Sequence, residues 1–146
     1  MNNSAMGGTG LPGRQATVDL ARKAAEFLRP PNGPRVAVLE IGGWDSHTNQ
    51  SAVQGALSNN LRTLDAALSA LRTTLVEAKV WPDTVVVVAT EFGREVAANG
   101  NLGTDHGSGG AAFVLGGSVR GGRVFADWPG LAPAQRFEGR NLPITT

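Results

Sequence analysis

Apolar positions along the chain change period twice. Between Gln15 and Arg29, Val18, Ala21, Ala25 and Leu28 fall on one face, with Asp19, Arg22, Lys23 and Glu26 elsewhere. That spacing predicts an amphipathic helix, stopped by Pro30-Pro31. Asn32-Gly33-Pro34 predicts a turn. Arg35 to Ile41 (RVAVLEI) then predicts a strand that ends in Gly42-Gly43. From about Ser51 to Lys79 the period returns to the helical one, because Leu57, Leu61, Leu64, Leu68, Leu71 and Leu75 recur at spacings of four and three. One apolar stripe on a long helix has two uses: it packs on a sheet of the same chain, or it zips to another chain. Trp81-Pro82-Asp83 closes the helix. Thr84 to Thr90 (TVVVVAT) is a β-branched run of the kind that fits a strand buried on both faces.

Residues 35–90 therefore predict strand, long helix, strand, which is one right-handed βαβ crossover. A Gly/Asn-rich loop follows from Glu91 to Gly110. Next come a short strand at Ala111 to Leu115, a hairpin region around Gly116-Gly117 and Gly121-Gly122, and an irregular tail from Phe125. Residues 1–14 predict a flexible lead-in, and 15–146 a single α/β domain.

Composition narrows the function classes. A length of 146 residues suits one domain with a real core. Charged residues are 17% of the chain against ~25% in an average globular protein, which argues against disorder. The net charge of +1, with no basic run, argues against a nucleic-acid ligand. No stretch of ~18 apolar residues exists, so no membrane partner is expected. The N-terminus has neither a positive segment nor an apolar one, so the chain as written reads as cytoplasmic. Cys is absent, which removes disulfides, thiolate zinc sites and cysteine nucleophiles together.

Both histidines lie close to acids, and this is where chemistry concentrates. In open α/β sheets, ligands bind beyond the carboxyl ends of the strands. The first predicted strand runs out at Glu40 and leads to Asp45 and His47 in GGWDSH. The second leads to Glu91 and Arg94 in TEFGR. The loop before the third carries Asp105 and His106 in GTDHG. Imidazole nitrogen and carboxylate oxygen, without thiolate, are the donors of a divalent metal: zinc first, with manganese or iron as alternatives. An isolated Asp/His pair is more often a hydrogen-bonded surface feature; two pairs holding every histidine of the chain favour a site.

These segments, together with LGGSVRGGRVFADWPGL and EGRNL, occur in order and resemble a bacterial family, the domain-of-unknown-function 1501 family, within the alkaline phosphatase-like (sulfatase-like) superfamily. The resemblance covers roughly residues 15–146. It implies a mixed α/β sheet and a metal site that hydrolyses phosphate or sulfate esters. Glu40, Asp45 and His47 match its first strand-end ligands, although the Asp-to-His spacing is shorter here. Glu91 and Phe92 stand where the superfamily has an Asp-His pair, so only the carboxylate is kept. By this resemblance Asp45, His47 and His106 hold one metal, and Glu91, with Asp105 as a further candidate, contributes to a second. Members are usually longer and often exported by a twin-arginine signal. The chain resembles their C-terminal section, without the segment that carries the superfamily's Ser/Thr nucleophile. A truncated alkaline phosphatase-like fold with a βαβ core and open edges is thus expected, completed by a homodimer or higher homo-oligomer.

The function expected is hydrolysis of a small phosphate ester by metal-bound hydroxide. Diesters or triesters are favoured, because they carry less negative charge to repel hydroxide. Arg94 is the candidate phosphoryl clamp, with a surface ion pair to Glu91 or Glu95 as its plainer role. Asn99 and Ser46 are candidates to hydrogen-bond substrate. Trp44 either walls an aryl leaving group or simply packs. The alternative is a non-catalytic metal-binding or assembly module derived from a longer hydrolase. Sulfate-ester hydrolysis ranks last, since its Cys/Ser-derived nucleophile has no matching segment.

Overall fold

A computed structural model describes residues 13–51 and 53–144. Most of the predicted lead-in, residues 1–12, lies outside the described residues. Helix α1 spans Arg14–Leu28 and helix α2 spans Ala56–Glu77. Strand β1 is Val85–Val88, β2 Gly93–Arg94, β3 His106–Gly107 and β4 Phe113–Gly116, with short 3-10 turns at Trp81–Asp83 and Pro133–Gln135.

The first helix sits one residue from its predicted position. The second starts five residues later than predicted. Ser51 Oγ accepts the Val53 and Gln54 amides, and the Gly55 amide donates to the Ser51 carbonyl, so residues 53–55 turn back on Ser51 ahead of the helix. A serine hydroxyl that bonds nearby amides competes with helix in this way. At the other end Lys79 takes φ 60°, and the Lys79 and Val80 amides close onto Val76 and Leu75, a left-handed helix stop.

The two helices pack on one another through small side chains. Ala21, Ala24 and Ala25 of α1 face Ala67, Leu71 and Leu75 of α2, and Leu28, Leu39, Ile41, Val80, Trp81 and Val86 pack around them. The alanines let the helix backbones approach closely, so Leu75 becomes fully buried. The leucine stripe thus works inside the chain, against α1, an extended segment and β1. Leu61, at its N-terminal half, stays 43% exposed.

The sheet departs from expectation. Among the described residues the two ladders are both antiparallel, β1 with β4 and β2 with β3, and no parallel βαβ pairing forms. Residues 35–41 run without a ladder partner. Leu39 and Ile41 pack on the helices, while Val36 and Val38 are 77% and 91% exposed. Alternation therefore gave this segment its inward and outward faces. A strand also needs a neighbour that accepts from its amides and donates to its carbonyls, and here the Ile41 carbonyl accepts from the Trp44 indole. The chain between β1 and β4 holds the short β2–β3 ladder and no crossover helix, and β4 returns antiparallel, with Val87 opposite Val114. The predicted hairpin beyond Gly116 does not form. The Val119 amide bonds back to Gly116, and no strand follows among the described residues. The architecture is two helices with two small sheets, a mixed α/β arrangement. No helix among the described residues is long and apolar enough to cross a membrane.

Candidate metal centre

Three loop segments meet beside the helix pair. The first, GGWDSH, is held at both sides. Gly43 adopts φ 92°, and its carbonyl accepts the Asn60 side-chain amide from α2. The Trp44 indole donates to the Ile41 carbonyl at 2.7 Å, and the Ser46 amide donates to the Trp44 carbonyl at 3.0 Å. Asp45 therefore stands at the apex of a tight, anchored turn.

The second and third segments form the β2–β3 ladder, in which Arg94 is directly opposite His106 and Gly93 opposite Gly107. Cross-strand partners project to the same face. Arg94 Nη2 and His106 Nε2 accordingly reach the same atom, Asp45 Oδ1, at 2.6 and 2.8 Å. His47 Nε2 approaches that oxygen at 2.9 Å. The glycines of the ladder are sterically required. A Cβ at Gly93 would strike the Gly107 carbonyl, and one at Gly107 would strike the Asn141 side chain and the Arg94 backbone.

One ligand atom each from Asp45, His47 and His106 lies within 4.8 Å of the others. Their side chains are 56%, 43% and 50% exposed, so a small molecule has access. The His47 and His106 rings stack at 5.1 Å, and Phe92 stacks on the other face of His106 at 4.6 Å. Asp105 Oδ1 sits 3.0 Å from His47 Nδ1 and accepts the Asn99 amide at 3.0 Å. His106 beside Asp45, assisted by the Arg94 hydrogen bond, holds the Asp45 carboxyl below its usual range against the opposing effect of partial desolvation. Asn99 and then His47 do the same for Asp105.

His47 thus stands between two carboxylates. A neutral imidazole has one N–H and one lone pair, whereas an ionised carboxylate only accepts. In the neutral ring one of the two contacts therefore sets lone pair against lone pair, and either a second ring proton or a bound cation relieves it. Two imidazole nitrogens and a carboxylate oxygen that converge on one point suit zinc, manganese or iron. Three protein donors, rather than four, match metal sites that keep a position for water or substrate.

Other predicted residues have different placements. Glu91 is exposed and lies outside the triad, as does Glu40. Asp105 contacts His47 on the nitrogen that faces away from Asp45. Arg94 is 16% exposed on its side chain, and its guanidinium donates to the Thr104 carbonyl, the Trp44 carbonyl and Asp45. Its fork fastens the three segments together, and neither Glu91 nor Glu95 is its partner. Asn99 donates to Asp105 and to the His47 carbonyl, and accepts the Asn101 and Gly103 amides. The Ser46 side chain makes no bond with the triad.

Sequence reasoning did not find the contribution of the tail. Arg140 forms two bonds with Glu95 and lies 3.8 Å from Asp105 Oδ2, and Asn141 accepts the Ser108 amide. Glu95 raises the Arg140 pKa further, so the guanidinium stays charged. The EGRNL segment carried the signal, as a recurring motif without a readable chemistry.

Residues 12–143 match the family model described as "Protein of unknown function (DUF1501)". No curated protein and no solved structure gives a significant match to the chain.

Proposed function

The chain belongs to the DUF1501 family of proteins of unknown function, and from that premise and the geometry of its acid–histidine cluster we propose that it is a metal-dependent hydrolase of phosphate esters. The observation that carries the reading is the convergence of Asp45, His47 and His106. When bound there, a divalent metal, zinc by preference, would lower the pKa of water toward ~7 and act as a Lewis acid on a phosphoryl oxygen.

The chain's own residues would do the rest. Asp45, His47 and His106 would hold the ion, and the stacked rings would fix the approach of both imidazoles. Arg94 would hold Asp45 in place and leave its second oxygen available. The alkaline phosphatase-like ancestry suggested by the motifs is part of this proposal. So is the preference for diesters or triesters. Asp45 and Asp105 both favour their ionised forms, and a doubly charged monoester meets more repulsion from them than a singly charged or neutral ester. Ser46, half-buried and without a partner in the triad, remains a candidate to hydrogen-bond substrate.

Elemental analysis of the purified protein, with assays of aryl phosphate mono-, di- and triesters before and after chelation, tests the proposal. About one equivalent of metal and chelator-sensitive turnover of diester or triester is expected. Turnover that survives in Asp45→Ala and His106→Ala, with less than one metal equivalent in the parent protein, would sink it. One equivalent of metal without turnover would favour the alternative, a metal-binding assembly module.

A further inference from the structure

The two histidines of the cluster are held by different means. His106 is sandwiched between Phe92 and His47, and its Nδ1 has no hydrogen-bond partner among the described residues. His47 meets a carboxylate at each ring nitrogen: Asp105 Oδ1 lies 3.0 Å from Nδ1, whereas Asp45 Oδ1, 2.9 Å from Nε2, is already shared with Arg94 and His106. The Asp105 carboxylate is itself fixed. The Asn99 side-chain amide bonds Asp105 Oδ1 and the His47 carbonyl, each at 3.0 Å, and so ties the backbone of one residue to the side chain of the other. Asn99 cannot turn over, because its Oδ1 already accepts the Asn101 and Gly103 amides at 3.0 Å. The Asp105 carbonyl accepts the Glu95 amide at 3.0 Å, and Gly103 packs against the His47 carbonyl with no room for a Cβ.

We propose that Asp105 is a positioning residue: by accepting the Nδ1–H of His47, with Asn99 clamping its carboxylate, it fixes the His47 tautomer whose Nε2 lone pair faces Asp45 and His106. The inference rests on the metal reading for its purpose but not for its test. Free neutral imidazole places its proton freely, and the partner on the other ring nitrogen decides which nitrogen is left to ligate. A carboxylate behind a ligating histidine also orients the ring and strengthens the ligand. The sequence offered Asp105 as a ligand of a second metal. Its contact with the remote nitrogen of His47 gives it this other task.

The experiment is ¹⁵N-histidine NMR on the metal-free protein at a pH where both rings are neutral, with His47→Gln used for assignment. His47 is expected in the Nδ1–H form, with its Nε2 shift that of an unprotonated nitrogen. Asp105→Ala should release it toward a mixture of tautomers, and Asp105→Asn should restore the Nδ1–H form, since an amide oxygen still accepts. The His106 shifts should change little. Zinc titration supplies a second readout. Asp105→Ala should bind as many zinc ions as the parent protein with affinity lowered ~10–100-fold, and Asp105→Asn should recover most of it. An Nε2–H tautomer for His47 in the parent protein overturns the proposal without any variant. Loss of a whole zinc equivalent in Asp105→Ala, with the His47 tautomer unchanged, overturns it in favour of a direct ligand. Failure of the parent protein to bind zinc would count against the hydrolase reading alone, and the tautomer result would still decide this one.

Discussion

At the scale of single residues, the site is governed by how many groups share one oxygen. Asp45 Oδ1 meets Arg94 Nη2, His106 Nε2 and His47 Nε2 within 2.6–2.9 Å. The pKa of Asp45 is held below 3.8, chiefly by His106, and that of Asp105 is lowered chiefly by Asn99. A carboxyl whose folded pKa is depressed contributes stability that is present above its unfolded pKa and is lost as pH falls through the folded value. The stabilisation from both acids should therefore be complete at neutral pH, begin to fade near the ordinary carboxylate value and be lost as pH falls through the lower folded values. Thermal melts of the metal-free protein and of Asp105→Asn between pH 7 and pH 3 check this. The gap between the two curves should close at the acid end, and a gap that widens there would contradict the assignment. Arg94 gives a second prediction at this scale. Lysine has no planar fork to reach two backbone carbonyls and a carboxylate together. Arg94→Lys should lose about 1–3 kcal/mol in urea unfolding, as expected for hydrogen bonds to a charged donor. A loss below ~0.5 kcal/mol would mean that the guanidinium is only a surface partner.

At the scale of elements, legibility followed the range of the forces involved. The helices were readable because their period is local: Val18, Ala21 and Ala25 in one, Leu71 and Leu75 in the other, are buried as their spacing requires. The late start of α2 was not, since it depends on the Ser51 hydroxyl choosing the Val53 and Gln54 amides. Residues 35–41 looked like a strand because alternation reports which side chains face inward. It does not report whether a neighbour completes the ladder. Asp45, His47, Asp105 and His106 could be singled out because acids and histidines are rare here and fall together. The task of Arg94 could not, because its partners include the carbonyls of Trp44 and Thr104, which every residue type has. Two substitutions test the elements. Leu75→Ala should destabilise by ~2–5 kcal/mol, because it empties a fully buried position between α1 and α2. Gly103→Ala should lower stability by ~1–3 kcal/mol and weaken zinc binding as well, because its methyl group would press on the backbone of His47. Zinc affinity unchanged in Gly103→Ala would show that the Asn99–Asp105 loop does not position His47.

At the scale of the whole molecule, one sheet face has no cover among the described residues. Alternation along β1 turns Val86 and Val88 toward the helices and leaves Val85 and Val87 at 58% and 65% exposure. Val114, opposite Val87 on β4, is 55% exposed, and Val36 and Val38 turn the same way from the helices as Leu39 and Ile41 turn toward them. A continuous β-branched run of this kind suits burial on both faces, and the exposed valines of the β1–β4 pair are apolar surface of the kind that marks an association site. Residues 35–41, which have no ladder partner, present a second unpaired edge. The occupant expected is a second copy of the chain, which presents the same face and the same edge, so a two-fold arrangement satisfies both at once. Sedimentation over a hundredfold concentration range should reveal a dimer or larger species. Val87→Lys should shift it to monomer, since burying an unpaired ammonium at such an interface is strongly disfavoured. Because Val87 lies on β1, while the triad comes from the GGWDSH segment and from β3, the same variant should keep its zinc stoichiometry. A parent protein that stays monomeric throughout would refute the association and leave the metal site untouched. A monomeric Val87→Lys that also loses zinc would mean that the second copy helps hold the loops, and that assembly and metal binding are one event.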